Sequence, residues 1–282
     1  MSIFLDENEV KYKKSEKDNV IEISPMGHFE KFNDIIGTGS TKTVYKGIDL
    51  HNNKIIAWNV LSLTKLSDKI KKQIYREIQI LRLVNHENIL KMYTYWYNME
   101  KKELIIITQL LSHTLKNFIQ EYYKFIKLKH IKNWSIQILK GLKYLHSNNI
   151  IHRDLKLNNI FIHSDTSQIC IGDFGSSTNI NTNSCVGTPE YMPPEIYEED
   201  YDNKVDIYAF GMCILEMLTN EIPYSECNNI MQIYKKVSNR IMPLSLNKID
   251  SPDFKELITL LLGPKDLRPS VDELLNNNIF LN

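Results

Sequence analysis

The hydrophobic period of this chain turns from mainly strand-like to helical near Leu111, and that switch limits the possible folds more than any single residue does. Before it, residues 32–36, 43–47, 55–61, 90–96 and 103–108 read as five short strands separated by Gly, Asn or charged turns. One helix interrupts them between the third and fourth. Ile70, Ile74, Ile78 and Leu81 recur there at helical spacing behind a Ser67-Asp68 cap. After the switch the chain turns helical. Ile131, Trp134, Ile138, Leu142 and Leu145 mark one face of a long helix, and a second apolar helix spans about 204–218. The expectation is an α+β fold of two lobes, with a small five-stranded antiparallel lobe carrying one helix, a larger α-helical lobe, and a ligand cleft between them. Residues 1–24, mixed in charge and without periodicity, read as a mobile extension or surface strap. The folded part is expected over 25–281, divided at 110/111.

Charge narrows the function. Thirty-four basic residues balance thirty-four acidic ones, so no surplus cation is available to neutralise nucleic-acid phosphates or to favour an anionic membrane. The longest apolar stretches, 104–107 and 209–215, fall far short of the ~20 residues that cross a bilayer, and the charged N-terminus has no signal-peptide core. Four scattered cysteines, Cys170, Cys185, Cys213 and Cys227, suggest neither a disulfide framework nor a zinc site. The expected class is a neutral cytoplasmic enzyme that neither inserts in membranes nor binds nucleic acid.

The chemistry is concentrated just after the long helix. Ile151-His152-Arg153-Asp154-Leu155-Lys156-Leu157-Asn158-Asn159-Ile160 is followed, nineteen residues beyond Asp154, by Asp173-Phe174-Gly175. Gly187-Thr188-Pro189-Glu190 and Pro193-Pro194-Glu195 come next. In this order and at these distances the segments resemble the catalytic loop, the metal motif and the end of the activation segment of protein kinases. The resemblance implies that Asp154 accepts or orients the substrate hydroxyl's proton and that Lys156 neutralises the transferring phosphate. Asn159 and Asp173 would hold magnesium, an ion that takes hard oxygen ligands. It further implies that Thr188 sits under the acceptor, that Glu195 pairs with Arg268, and that Asp206 anchors the catalytic loop.

One expected residue is missing. In Ile55-Ile56-Ala57-Trp58-Asn59-Val60, Asn59 stands where kinases carry the phosphate-binding lysine. The glycine-rich loop, Gly37-Thr38-Gly39-Ser40-Thr41-Lys42-Thr43-Val44, has lysine in place of its third glycine. Strand side chains alternate with period two, so Lys42 points the same way as Val44, the expected roof over adenine opposite Ala57. Lys42 would then deliver the missing ammonium to the phosphates, with Glu77 on the helix as its partner.

This pairing of a loop lysine with Ala57-Trp58-Asn59 resembles the WNK (with-no-lysine) kinases, as do Tyr208-Ala209-Phe210-Gly211-Met212-Cys213 and Pro223-Tyr224-Ser225-Glu226-Cys227. Asn59 itself is similar to the plant branch. The resemblance implies a bilobal kinase fold, ATP and Mg2+ as cosubstrate and cofactor, protein Ser/Thr acceptors, and autophosphorylation at Ser184 with Arg153 as the phosphate's partner. Thr108 would be the gatekeeper, Gln109 and Leu111 would offer backbone groups to adenine, and Phe161 would form part of its floor. A homodimer is compatible with it. Phe174 and Ser176 depart from the leucines that frame a chloride site in animal members, and Thr41 departs at the loop tip. The expected activity is Ser/Thr protein kinase; the alternative is a nucleotide-binding pseudokinase acting as a scaffold.

Overall fold

The computed structural model describes residues 19–39, 42–163, 166–179, 187–198 and 200–281. The described residues divide into two compact units, one drawn from 19–83 and 90–112, the other from 84–89 and 113–281.

The first unit is built on a six-stranded antiparallel sheet. Its strands are β1 (Val20–Ile23), β2 (Phe29–Thr38), β3 (Lys42–Asp49), β4 (Lys54–Ser62), β5 (Met92–Asn98) and β6 (Glu103–Gln109), in the order β1-β2-β3-β4-β6-β5. Alternation gives the sheet two apolar faces. Phe29, Ile56, Trp58, Ile105 and Ile107 pack together on one. On the other, Leu61, Leu104 and Ile106 receive Ile74 and Ile78 from helix α1 (Asp68–Leu83). Ser67 Oγ accepts from the Ile70 N–H at 3.4 Å, Asp68 lies in the first turn and Arg82 in the last, so each charge opposes the nearer end of the helix dipole. Burying an isoleucine contributes about 2 kcal/mol, far more than propensity does. The apolar stripe therefore fixes the helix against the sheet.

Two expectations are corrected here. The sheet has six strands because residues 20–23, assigned to a mobile extension, pair as β1 along β2. Glu22 explains the attachment. It accepts from Lys31 Nζ at 2.9 Å and Lys101 Nζ at 3.2 Å, and Lys31, 7% exposed, also stands 4.4 Å over the Tyr45 ring. The unit boundary also differs from 110/111. Residues 111–112 go with the first unit, and 84–89 go with the second. Asn88 decides the latter: its carbonyl accepts from Ile171 N at 2.9 Å, and its Nδ2 donates to Ile169 O at 2.9 Å and Gln137 Oε1 at 3.2 Å.

The second unit carries short strands, β7 (His113–Thr114), β8 (Ile150–Ile151), β9 (Ile160–His163), β10 (Gln168–Ile171) and β11 (Thr178–Asn179), amid helices. Helix α2 (Leu115–Tyr122) is capped by Thr114 Oγ1, which accepts from Asn117 N at 3.2 Å. In α3 (Leu128–Ser147), Ile131, Trp134, Ile138, Leu142 and Leu145 are all buried, as their spacing predicts. Gly141 belongs to the same face. A Cβ there would lie 2.9 Å from Ile171 Cδ1 and 3.0 Å from Asn88 O, so only glycine lets α3 approach β10 so closely. After α4 (Pro194–Tyr197) comes α5 (Lys204–Thr219), buried without interruption from Val205 to Met217. A helix apolar all round belongs at the centre of a core, and the remaining helices, α6 (Ile230–Ser238), α7 (Pro252–Leu261), α8 (Val271–Leu275) and α9 (Asn278–Leu281), complete the unit.

Candidate active site

In the first unit the ladder pairs Lys42 with Leu61, Val44 with Asn59 and Lys46 with Ala57. Val44 is thus directly opposite Asn59, not Ala57: the register is two residues from the expected one. Directly paired residues share a face, as do residues two apart on a strand. Lys42, Val44, Asn59 and Ala57 therefore all lie on the face that packs against α1. Lys42 is exposed, Glu77 on α1 is half-buried, and the Gly39 N–H donates to Lys42 O at 2.8 Å. A Cβ on Gly37 or Gly39 would meet nothing closer than 3.7 Å, so the loop's own packing does not require these glycines.

Asn59 is 6% exposed and serves its own sheet. Its Nδ2 donates to Ile106 O at 2.9 Å, Ala57 O at 3.3 Å and Thr108 Oγ1 at 3.2 Å. The position is filled by an internal crosslink that also orients the Thr108 hydroxyl. Gln109 donates its N–H to Lys91 O at 2.9 Å. Leu111 is half-buried.

In the second unit β8 leads directly into the loop that bears Asp154. Thr188 Oγ1 donates to Asp154 Oδ1 at 2.6 Å; Lys156 Nζ donates to Asp154 Oδ2 at 2.8 Å and to Thr188 Oγ1 at 2.7 Å. Carboxylate, ammonium and hydroxyl thus close a ring. Asn159 Nδ2 donates to the Asp154 backbone O at 2.8 Å and to Oδ2 at 3.1 Å, so the amide oxygen is the Asn159 side-chain atom suited to a cation. Gly172 N donates to Asn159 O at 2.9 Å, tying the chain before Asp173 to the same loop. Asp173 is exposed and left-handed, at φ 60° and ψ 72°. Arg153 is left-handed too, at φ 66°. Non-glycine residues avoid this region, and strain of order 1 kcal/mol each is held here by the surrounding bonds.

Asp206 at the start of α5 supplies much of that hold. Its Oδ2 accepts from the His152 N–H at 2.9 Å and contacts His146 Nε2 at 2.8 Å; its Oδ1 accepts from the Arg153 N–H at 2.9 Å. Full burial would push its carboxyl up. The His146 hydrogen bond, the charges of His146 and His152 and the His152 N–H outweigh burial and hold it below the usual carboxylate range. Phe174 is fully buried with its ring edge-on to His152, centroids 5.2 Å apart. Phe161 is half-buried in β9. Arg268 forks onto Glu195 through Nη1 and Nη2 and donates its Nε–H to Gly263 O at 2.9 Å. The Arg153 guanidinium donates to Ser176 O at 2.7 Å and Tyr201 OH at 2.8 Å. Ser184 and Thr41 lie outside the described residues.

Sequence reasoning missed Tyr201, the His152 link from Nε2 to Gly172 O at 3.0 Å, and a buried group formed by Lys116, Tyr191 and Glu216. Only the histidine carried a sequence signal, its place inside the loop motif.

A family model described as the protein kinase domain matches residues 31–280. Serine/threonine-protein kinase WNK8 of Arabidopsis thaliana is 42% identical over 266 residues, covering 92% of this chain and 47% of that protein. Probable serine/threonine-protein kinase WNK10 of the same plant is 40% identical over 271 residues, 94% of this chain and 52% of that protein. Serine/threonine-protein kinase Wnk of Drosophila melanogaster is 43% identical over 279 residues, 96% of this chain and 11% of that protein. The chain therefore spans about half or less of the length of these curated relatives. Its domain match takes in both units, from β2 to the last helix, and on that ground the chain belongs to the protein kinase family.

Proposed function

We propose that this chain is an active serine/threonine protein kinase that transfers the γ-phosphate of MgATP to protein Ser or Thr, with Lys42 replacing the third-strand lysine. The observation that carries the reading is the ring of Asp154, Lys156 and Thr188, closed by bonds of 2.6–2.8 Å. A carboxylate so placed can take a hydroxyl proton, and an ammonium beside it can offset phosphate charge. Phosphoryl transfer asks little else of a protein than positioning and charge stabilisation.

The donor set suits magnesium. Asp173 offers an exposed carboxylate and Asn159 an amide oxygen, both hard ligands; bound there, Mg2+ would neutralise phosphate charge. Gly37 and Gly39 leave bare backbone for phosphates, and Lys42 supplies the ammonium. Val44, Ala57 and the Gln109 carbonyl belong to the adenine side of the reading, with Leu111, Thr108 and Phe161. Glu77 would pair Lys42, and Ser184 would be an autophosphorylation site whose phosphate Arg153 receives. What supports the Lys42 assignment is its common face with Asn59 and Ala57. The same reading places the enzyme in the cytoplasm. Among the described residues no helix is long and apolar enough to cross a membrane, and none of Cys170, Cys213 and Cys227 is in a disulfide.

The test is phosphate transfer by the purified chain to itself and to Ser/Thr peptides with ATP and Mg2+, the sites mapped by mass spectrometry. Transfer by the wild type and none by Asp154→Asn is expected. Nucleotide binding without transfer would reject the enzyme in favour of a scaffold.

A further inference from the structure

Glu216, near the end of α5, is 1% exposed and both its oxygens are occupied. Lys116 Nζ of α2 binds Oε1, and the Tyr191 hydroxyl donates to Oε2. Lys116 and Tyr191 are themselves 8% and 6% exposed. Stability alone is a poor reason for such a group, because apolar side chains of similar volume often serve a core as well or better. Its use is better sought in what it positions.

Tyr191 ends the short 3-10 turn Pro189–Tyr191, and its N–H donates to Thr188 O at 2.9 Å. Thr188 is the residue whose hydroxyl closes the ring with Asp154 and Lys156. The same helix that holds Tyr191 through Glu216 holds the other side of the ring through Asp206, ten residues earlier and thus roughly 15 Å along the axis. One rigid element therefore sets both the loop of Asp154 and the turn of Thr188. The Glu216 end works only while an oxygen held there accepts from the Tyr191 hydroxyl. Without Lys116 it would be a buried, uncompensated charge, and the hold on Tyr191 would loosen.

Resting on the proposed kinase reaction, we infer that Lys116 is a positioning residue: it neutralises Glu216 so that Glu216 can hold Tyr191 and thereby register Thr188 against Asp154. The chain runs Lys116, Glu216, Tyr191, Thr188, Asp154. Neither its lysine nor its glutamate touches substrate.

The experiment compares wild type, Tyr191→Phe, Lys116→Met and the double variant Lys116→Met/Glu216→Gln, measuring kcat and both KM values for ATP and a Ser/Thr peptide. Amide exchange over 187–192 and the melting temperature are read on the same samples. Tyr191→Phe and Lys116→Met each lower kcat about tenfold, one hydrogen bond's worth, leave KM for ATP unchanged and speed exchange over 187–192. The double variant, with no buried charge and an amide oxygen still facing Tyr191, recovers most of kcat. Unchanged kcat in folded single variants would overturn the inference. So would a loss that merely follows the melting temperature and is not restored in the double variant. A wild type without transfer would instead overturn the proposed reaction, and unchanged exchange in Tyr191→Phe would then overturn the linkage on its own.

Discussion

At the scale of the residue, the proposed reaction divides between Asn59 and Lys42 the work that one lysine usually does. The Asn59 side chain carries no charge, and its Nδ2 is engaged by Ile106, Ala57 and Thr108. Lys42 has the charge and an exposed place on the same face. Lys42→Ala is therefore expected to lower kcat/KM by about 10² or more, a preorganised charge being worth that much, without loss of stability. Asn59→Ala should cost about 1–2 kcal/mol in denaturant unfolding and leave most of the transfer. Equal kinetic losses would reject the division. Asp206 gives a pH prediction. Its folded pKa is depressed, so its contribution is present above the unfolded value, about 3.9, and fades as pH falls through the lower folded one. Acid unfolding followed by circular dichroism should thus show a shallower pH dependence below pH 4 in Asp206→Asn, on a less stable background.

At the scale of the element, the turn from Gly187 into Pro189–Tyr191 is the tightest part of the site. Gly187 has φ +142°, and a Cβ there would stand 2.8 Å from Arg153 O and 3.1 Å from Met192 Cγ. Both backbone conformation and space demand glycine. Gly187→Ala should move the Thr188 turn away from Asp154. We expect kcat to drop tenfold or more while KM for ATP holds, read by steady-state kinetics. The β1 strand teaches the opposite lesson. Residues 20–23 looked featureless because their apolar side chains, Ile21 and Ile23, are exposed. The strand is held by backbone pairing and by Glu22, whose partners lie nine and seventy-nine residues away. Local pattern cannot register such a contact.

At the scale of the whole molecule, the second unit is organised by α5 and closed by Arg268. The Arg268 guanidinium is 2% exposed, bidentate to Glu195 and 5.0 Å from the Tyr208 ring. Removing one partner of such a pair leaves a buried charge and costs about 3–5 kcal/mol. Arg268→Ala should lower the unfolding free energy by that amount in a urea titration. A fall of less than 1 kcal/mol would make the pair a surface ornament.

The sequence by itself determined the kinds of most elements, the order in which they follow, and the candidacy of Asp154, Lys156, Asn159, Asp173 and Lys42, because period and short motifs are properties of neighbours along the chain. Only the tertiary structure decided the register that sets Val44 against Asn59, the sixth strand, the ring that Thr188 closes, and the burial of Lys116 with Glu216 and Tyr191. Each of these depends on groups far apart in sequence and close in space. Their energy comes from desolvation and hydrogen-bond geometry, which no local pattern encodes.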